Sequence, residues 1–232
     1  MCPRWHLECT VKSKWLHKRA GNKLIFFCNG WGMDEHPFIP LESEQWNVLM
    51  FYDYADLKTE IDLHKLLGEY RENILIAWSM GVWAGQQLFN PFADELGEAV
   101  AINGTLCPID DQSGIPEDIV QATLVNLDEK QRLKFYYRMC RDRDLYRRFL
   151  KNQPQRSVEN QRSELAALLK VTKNYLGEKS IYDSALVSEQ DLIVPTNNQL
   201  NYWPEKMVHR VDGSHFLFDD YNSWDEIVDG LR

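Results

Sequence analysis

The sequence predicts an α/β fold: a mostly parallel central sheet flanked by helices, with a helical insertion lying over it as a lid. Three observations predict it. Short apolar runs rich in β-forming residues recur along the first hundred or so positions, with helix-like stretches between them. The alternation stops after Asn103, and about seventy residues read as helix alone before it resumes. At 232 residues, with 44% hydrophobic and 12% aromatic content, the chain is long enough for one sizeable core.

The elements follow in order. Lys23–Cys28 (KLIFFC), Trp46–Tyr52, Asn73–Trp78 and Glu98–Asn103 are continuous apolar runs rather than alternating ones, as in parallel strands buried on both faces. Ile61–Tyr70 and Met80–Phe89 read as helices between them, the second ended by Pro91. Within the insertion, Pro116–Arg148 and Ser157–Leu176 read as helices. Ser157-Val-Glu-Asn-Gln161 opens the second as a capping box of imperfect spacing. Asp183–Val187 and Met207–Val211 follow as strands, and Ser223–Leu231 as a closing helix. The core is therefore expected at 14–104 and 181–232, the insertion at 105–180. Residues 1–13 fit no element and are expected to form a flexible extension.

Composition removes several classes of function. No apolar run approaches the ~20 residues of a membrane span, and the charged first twenty residues are unlike a secretory signal. Five cysteines with no CxxC pair suggest neither a disulfide framework nor a zinc site, which points to a cytoplasmic setting. A net charge of −9 argues against nucleic-acid binding. The charge is uneven, however. From Lys130 to Arg156 there are ten Lys or Arg against only Asp142 and Asp144.

Ser79 stands between a predicted strand and a predicted helix, in Ile-Ala-Trp-Ser-Met-Gly-Val-Trp83, with small residues at −2 (Ala77) and +2 (Gly81). That is the pattern of a nucleophile elbow, whose tight turn leaves no room for bulk at those positions. The common pattern has Gly at −2. The other parts of a hydrolytic triad follow in chain order. Asp191 lies after one predicted strand, and His215, in Gly-Ser-His-Phe, after the next. Each alone has an ordinary reading as a turn serine, a capping aspartate or a loop histidine; their order after successive strands carries the inference. Acyl transfer also needs donors for a developing oxyanion, and the backbone N–H groups of Met80 and Trp31 are the candidates. The latter sits in Asn29-Gly-Trp-Gly32, which lacks the third glycine of a dinucleotide fingerprint, position 35 being Glu. The tryptophans are expected to line or support an apolar acyl pocket, with core packing more fitting for Trp78 and Trp83 than for Trp31.

These residues resemble the pimeloyl-[acyl-carrier protein] methyl ester esterases of the BioG type. The resemblance rests on Gly30-Trp-Gly32, Tyr52-Asp-Tyr54 with Asp56-Leu57, Ala77-Trp-Ser-Met-Gly-Val-Trp83, Asn103-Gly-Thr105, Gly114-Ile-Pro116, Arg132-Leu-Lys-Phe135 and Tyr202-Trp203. It implies an α/β-hydrolase fold and a cytoplasmic serine carboxylesterase of biotin biosynthesis. Such an enzyme releases methanol from the methyl ester of pimeloyl-[acyl-carrier protein]. Ser79 would be the nucleophile, His215 the base then acid, Asp191 its orienter, and Trp31 and Met80 the oxyanion donors. No metal or organic cofactor is implied. The partner would be an acyl carrier protein docking on Arg138, Arg141, Arg147 and Arg148, with no nucleic acid, no membrane and a monomeric enzyme. A broad short-chain carboxylesterase, an acyl-thioesterase and a non-catalytic carrier-binding module stand as alternatives.

Overall fold

Seven strands form one sheet in a computed structural model that describes residues 10–172 and 179–231. They are β1 (Lys12–His17), β2 (Lys23–Cys28), β3 (Asn47–Tyr52), β4 (Glu72–Trp78), β5 (Glu98–Ile102), β6 (Ser184–Ser188) and β7 (Val208–Val211). Their spatial order is β1-β3-β2-β4-β5-β6-β7, and every neighbouring pair is parallel except β1 with β3. The predicted strands are all present.

The strand β1 was not predicted, and it corrects the boundary of the expected extension. Val11 is buried, its N–H donates to the Lys58 carbonyl, and Lys12 pairs with Tyr52 while its ammonium lies 2.8 Å from Asp53. The sequence of β1, KSKWLH, is mostly polar because the strand is a half-exposed edge, where lysines are common. Residues 1–9 lie outside the described residues.

The core helices are α1 (Leu63–Glu69), α2 (Met80–Phe89), α7 (Thr196–Tyr202) and α8 (Trp224–Leu231). Among the described residues four more lie between β5 and β6: α3 (Glu117–Asn126), α4 (Glu129–Cys140), α5 (Arg143–Lys151) and α6 (Val158–Thr172). The single helix expected over Pro116–Arg148 is thus three. Asp128 caps α4 by accepting the Gln131 N–H, and Asp142 caps α5 by accepting those of Asp144 and Leu145. Between α4 and α5 the chain reverses through Arg141, at φ +59°. Ser157 Oγ accepts the Asn160 N–H at the start of α6, half of a capping box with no acid to return the bond. The expected end of that helix at Leu176 lies outside the described residues. No helix among the described residues is long and apolar enough to cross a membrane.

Burial on both faces explains the continuous apolar runs. On β2, Leu24, Phe26 and Cys28 pack into one layer with α1 and α2, and Ile25 and Phe27 into the other with Phe38, Phe218 and Trp224. The chain passes from β2 to β3 on one side, then to β4 on the other. The carboxyl ends of β2 and β4 therefore form a topological switch point, the usual place for a ligand crevice. Cys28 is level with Ala77 there. The loop after β2 and the turn after β4 consequently meet.

Candidate active site

Ser79 closes β4 and opens α2 at φ +58°, ψ −126°, a conformation non-glycine residues rarely adopt. Its neighbours show why the turn holds. A Cβ at Gly81 would lie 2.1 Å from the Cys28 carbonyl oxygen, and one at Gly104 would lie 2.3 Å from that of Ser79. Only glycine permits the helix, the β2 end and the β5 end to approach this closely.

The structure brings the three predicted polar residues together. His215 Nε2 is 2.9 Å from Ser79 Oγ, and His215 Nδ1 is 2.7 Å from Asp191 Oδ2. All three are buried. Asp191 also accepts the backbone N–H groups of Ile193 and Val194 on Oδ1 and the Gln199 amide on Oδ2. Encircled by donors, this carboxylate takes the Nδ1–H of His215, which leaves Nε2 free to accept the serine proton. The other nearby acids are engaged elsewhere: Asp183 with the Ala99 N–H, Asp212 with Gln190, Asp219 with Arg148.

Sequence reasoning missed the residues that hold the histidine loop. Asn103, fully buried at φ +47°, donates to the carbonyls of Ser214 and His215 and exchanges hydrogen bonds with Ser188. The Trp78 indole N–H donates to the same His215 carbonyl at 2.9 Å. Gln199, eight residues after Asp191, bridges it to the Val194 carbonyl. Asn103 and Trp78 stand in the motifs Asn103-Gly-Thr105 and Ala77-Trp-Ser-Met-Gly-Val-Trp83, the signal available for them; nothing in the sequence marks Gln199.

Ser79 and His215 open into a narrow, largely apolar cleft. Trp31, Met33, Val120, Phe135, Leu165 and Ile193 are among its walls, so core and insertion both contribute. Trp31 and Trp78 both line it, whereas Trp83 is buried in the α2 layer. Met80 and Trp31 flank Ser79 in this lining, and among the described residues neither backbone N–H donates to a protein acceptor. The Met80 amide also points from the first turn of α2, where the helix dipole favours negative charge. Two free donors beside an activated hydroxyl can stabilise an oxyanion.

The predicted docking cations are not equivalent. Arg147 is paired with Asp144 at 2.9 Å and Arg148 with Asp219 at 2.6 Å. Arg138 lines the cleft and donates to the Leu192 carbonyl, and Arg141 is exposed; neither has an ion pair among the described residues. Among the described residues one group, Asp34, Glu35 and His36, brings three metal-ligand atoms within 4.8 Å. Its members are already occupied, Asp34 by His36 and the Gln155 N–H, and Glu35 by Lys14.

The family described as "Pimeloyl-ACP methyl esterase BioG" matches residues 11–227. A protein of Bacteroides fragilis (strain 638R) named malonyl-[acyl-carrier protein] O-methyltransferase is 37% identical over 195 residues, 83% of this chain. The chain spans only 39% of the length of that relative. The crystal structure of BioG from Haemophilus influenzae superposes with a TM-score of 0.83 at 34% identity, over 93% of this chain and 98% of that one. The fold is also that of 2-hydroxy-6-oxo-6-phenylhexa-2,4-dienoate hydrolase from Rhodococcus sp. strain RHA1, at TM-score 0.59 and 12% identity, over 95% of this chain and 98% of that one. The α/β-hydrolase fold is therefore shared well beyond the similar sequences.

Proposed function

On the premise that the chain belongs to the pimeloyl-ACP methyl esterase BioG family, we propose that it hydrolyses the methyl ester of pimeloyl-[acyl-carrier protein] to pimeloyl-[acyl-carrier protein] and methanol, a step of biotin biosynthesis. The observation that carries the chemistry is the relay from Asp191 through His215 to Ser79, opening into an apolar cleft. Ser79 Oγ attacks the ester carbonyl as His215 Nε2 takes its proton, and the Trp31 and Met80 N–H groups receive the oxyanion. Methanol leaves with that proton from His215. Water, deprotonated by the same nitrogen, then releases the acid from the acyl-serine.

The substrate assignment draws support from the insertion. The chain carries a net charge of −9, and an acidic carrier would meet general repulsion. Lys134, Arg138 and Arg141, exposed on and just after α4, offer a local positive face beside the cleft. Arg147 and Arg148, already paired, contribute less. Cys28, Cys107 and Cys140 are free thiols, which suits a cytoplasmic enzyme.

The test is to incubate the protein with pimeloyl-carrier methyl ester and measure methanol. Release by the wild type and none by Ser79→Ala is the expected result. Hydrolysis of the thioester link in preference to the methyl ester would move the assignment to a thioesterase.

A further inference from the structure

We propose that Glu164 and Gln161 of α6, held by Arg156, are positioning residues that aim the Trp31 N–H into the oxyanion hole. The inference rests on the reading of Ser79 as the nucleophile of an ester hydrolase. It begins with an account of the peptide groups between Gly30 and Met33. The Gly30 N–H donates to Asn29 Oδ1 at 2.7 Å, and the Gly30 carbonyl accepts the Met33 N–H at 3.4 Å. The Gly32 N–H donates to Glu164 Oε2 at 3.1 Å, and the Gly32 carbonyl accepts the Gln161 amide at 2.8 Å. The Trp31 indole N–H donates to the Gln161 carbonyl at 2.8 Å. The N–H groups of Gly30, Gly32 and Met33 and the carbonyls of Gly30 and Gly32 are thus tied down, and from Gly30 to Met33 the Trp31 backbone N–H is the one N–H without an acceptor among the described residues.

Three of those five ties come from α6, an element of the insertion, while the loop belongs to the core. Glu164 is fully buried, and its second oxygen accepts the Tyr54 N–H at 2.8 Å. Arg156 Nη1 lies 2.8 Å from Glu164, and its Nη2 lies 3.1 Å from Asp53. Arg156 also donates to the Met33 carbonyl and to Asn160. A buried ion pair is an expensive way to join two elements that apolar packing could join as well. What it adds here is direction. The loop's own Asn29 side chain fixes only the Gly30 N–H; with Gly32 at φ +74°, the peptide planes on either side of Gly32 are held by two side chains from α6. The oxyanion hole is then complete only when α6 is seated on the core.

The experiment uses p-nitrophenyl butyrate, which needs no carrier, and an alkyl trifluoromethyl ketone. Ser79 Oγ adds to the ketone carbon, its proton passing to His215, and the adduct carries the oxyanion. Glu164→Gln sets an amide NH₂ against one of the two backbone donors. It should lower kcat roughly tenfold to a hundredfold, less than the full loss of a donor, with KM within about twofold. The inhibition constant of the ketone should rise by the same factor as kcat/KM falls. The pH profile of kcat/KM should keep its shape. Gln161→Met, which removes the donor to the Gly32 carbonyl together with the longer bond to the Tyr136 hydroxyl, should show the same linked loss at roughly threefold to tenfold, and it serves as the test if Glu164→Gln does not fold. Folded variants with unchanged kcat, or a loss of kcat that leaves ketone binding intact, would overturn the proposal. Ser79→Ala separates the two readings: activity in that variant sinks both, whereas a dead Ser79→Ala beside a normal Glu164→Gln sinks this one alone.

Discussion

Replacing Asp191 by Asn leaves shape and volume nearly unchanged and alters only which atoms donate. The surroundings decide how the amide must sit. Ile193 and Val194 both present backbone N–H groups to Oδ1, at 2.8 and 3.0 Å, so the new carbonyl oxygen belongs there. The NH₂ then occupies the place of Oδ2 and faces both His215 Nδ1 and the Gln199 amide. Gln199 can turn its own oxygen, now without a partner, toward the new donor. His215 has no such freedom. It must present Nδ1 as an acceptor, which puts its proton on Nε2, pointed at Ser79 and unable to take the serine proton. Wrong-tautomer variants of this kind lose about 10⁴ in kcat, or ~5 kcal/mol of transition-state stabilisation. The assay is steady-state hydrolysis of p-nitrophenyl butyrate, with melting curves as a check on folding. Asp183→Asn, Asp212→Asn and Asp219→Asn are controls that should retain kcat. A tenth of wild-type turnover in Asp191→Asn, or a control that fails in its place, would refute the reasoning.

Three further outcomes follow from the same geometry. Gly81→Ala places a Cβ 2.1 Å from the Cys28 carbonyl oxygen, and the forced backbone shift should cost about 3 kcal/mol or more, seen as a Tm lower by roughly 6–12 °C. Asp53 has its carboxyl pushed up by burial but held below the usual range overall by Arg156, Lys12 and Asn160. Its stabilisation is therefore present above the ordinary aspartate range and is lost as pH falls through its lower folded value. The Tm gap between wild type and Asp53→Asn should accordingly be largest near neutrality and close below about pH 4. An Asn keeps the left-handed backbone at φ +64°, so the comparison isolates the charge. Reversing Lys134 and Arg141 together to Glu should lower kcat/KM on the carrier-linked ester roughly tenfold at low salt and less at high salt, with p-nitrophenyl butyrate turnover unchanged. Equal losses on both substrates would point to a disturbed insertion instead.

Much of the fold and the relay was legible in the chain itself. Strands buried on both faces must be apolar at every position, so KLIFFC and NILIAW announce themselves without reference to anything distant. An elbow forbids bulk beside its serine, and in this fold the acid and histidine follow successive strands, so Ser79, Asp191 and His215 could be read in order. What the chain could not show is whatever depends on which polar groups end up buried against each other. The strand β1 fits no predicted element until β3 pairs with it, and Asp128 and Asp142 read as interior helix residues until they are seen to cap new ones. Arg148 looked as available as Arg138 and Arg141 until the fold brought Asp219 to it, whereas Arg147 finds Asp144 three residues away on its own helix. Gln199, Asn103 and Glu164 are ordinary polar residues in sequence. They matter because folding removes water from them and leaves one set of partners within reach, some more than a hundred positions away. Hydrophobic pattern is a local property and survives in the sequence; the satisfaction of a buried hydrogen-bonding group is a property of the closed structure alone.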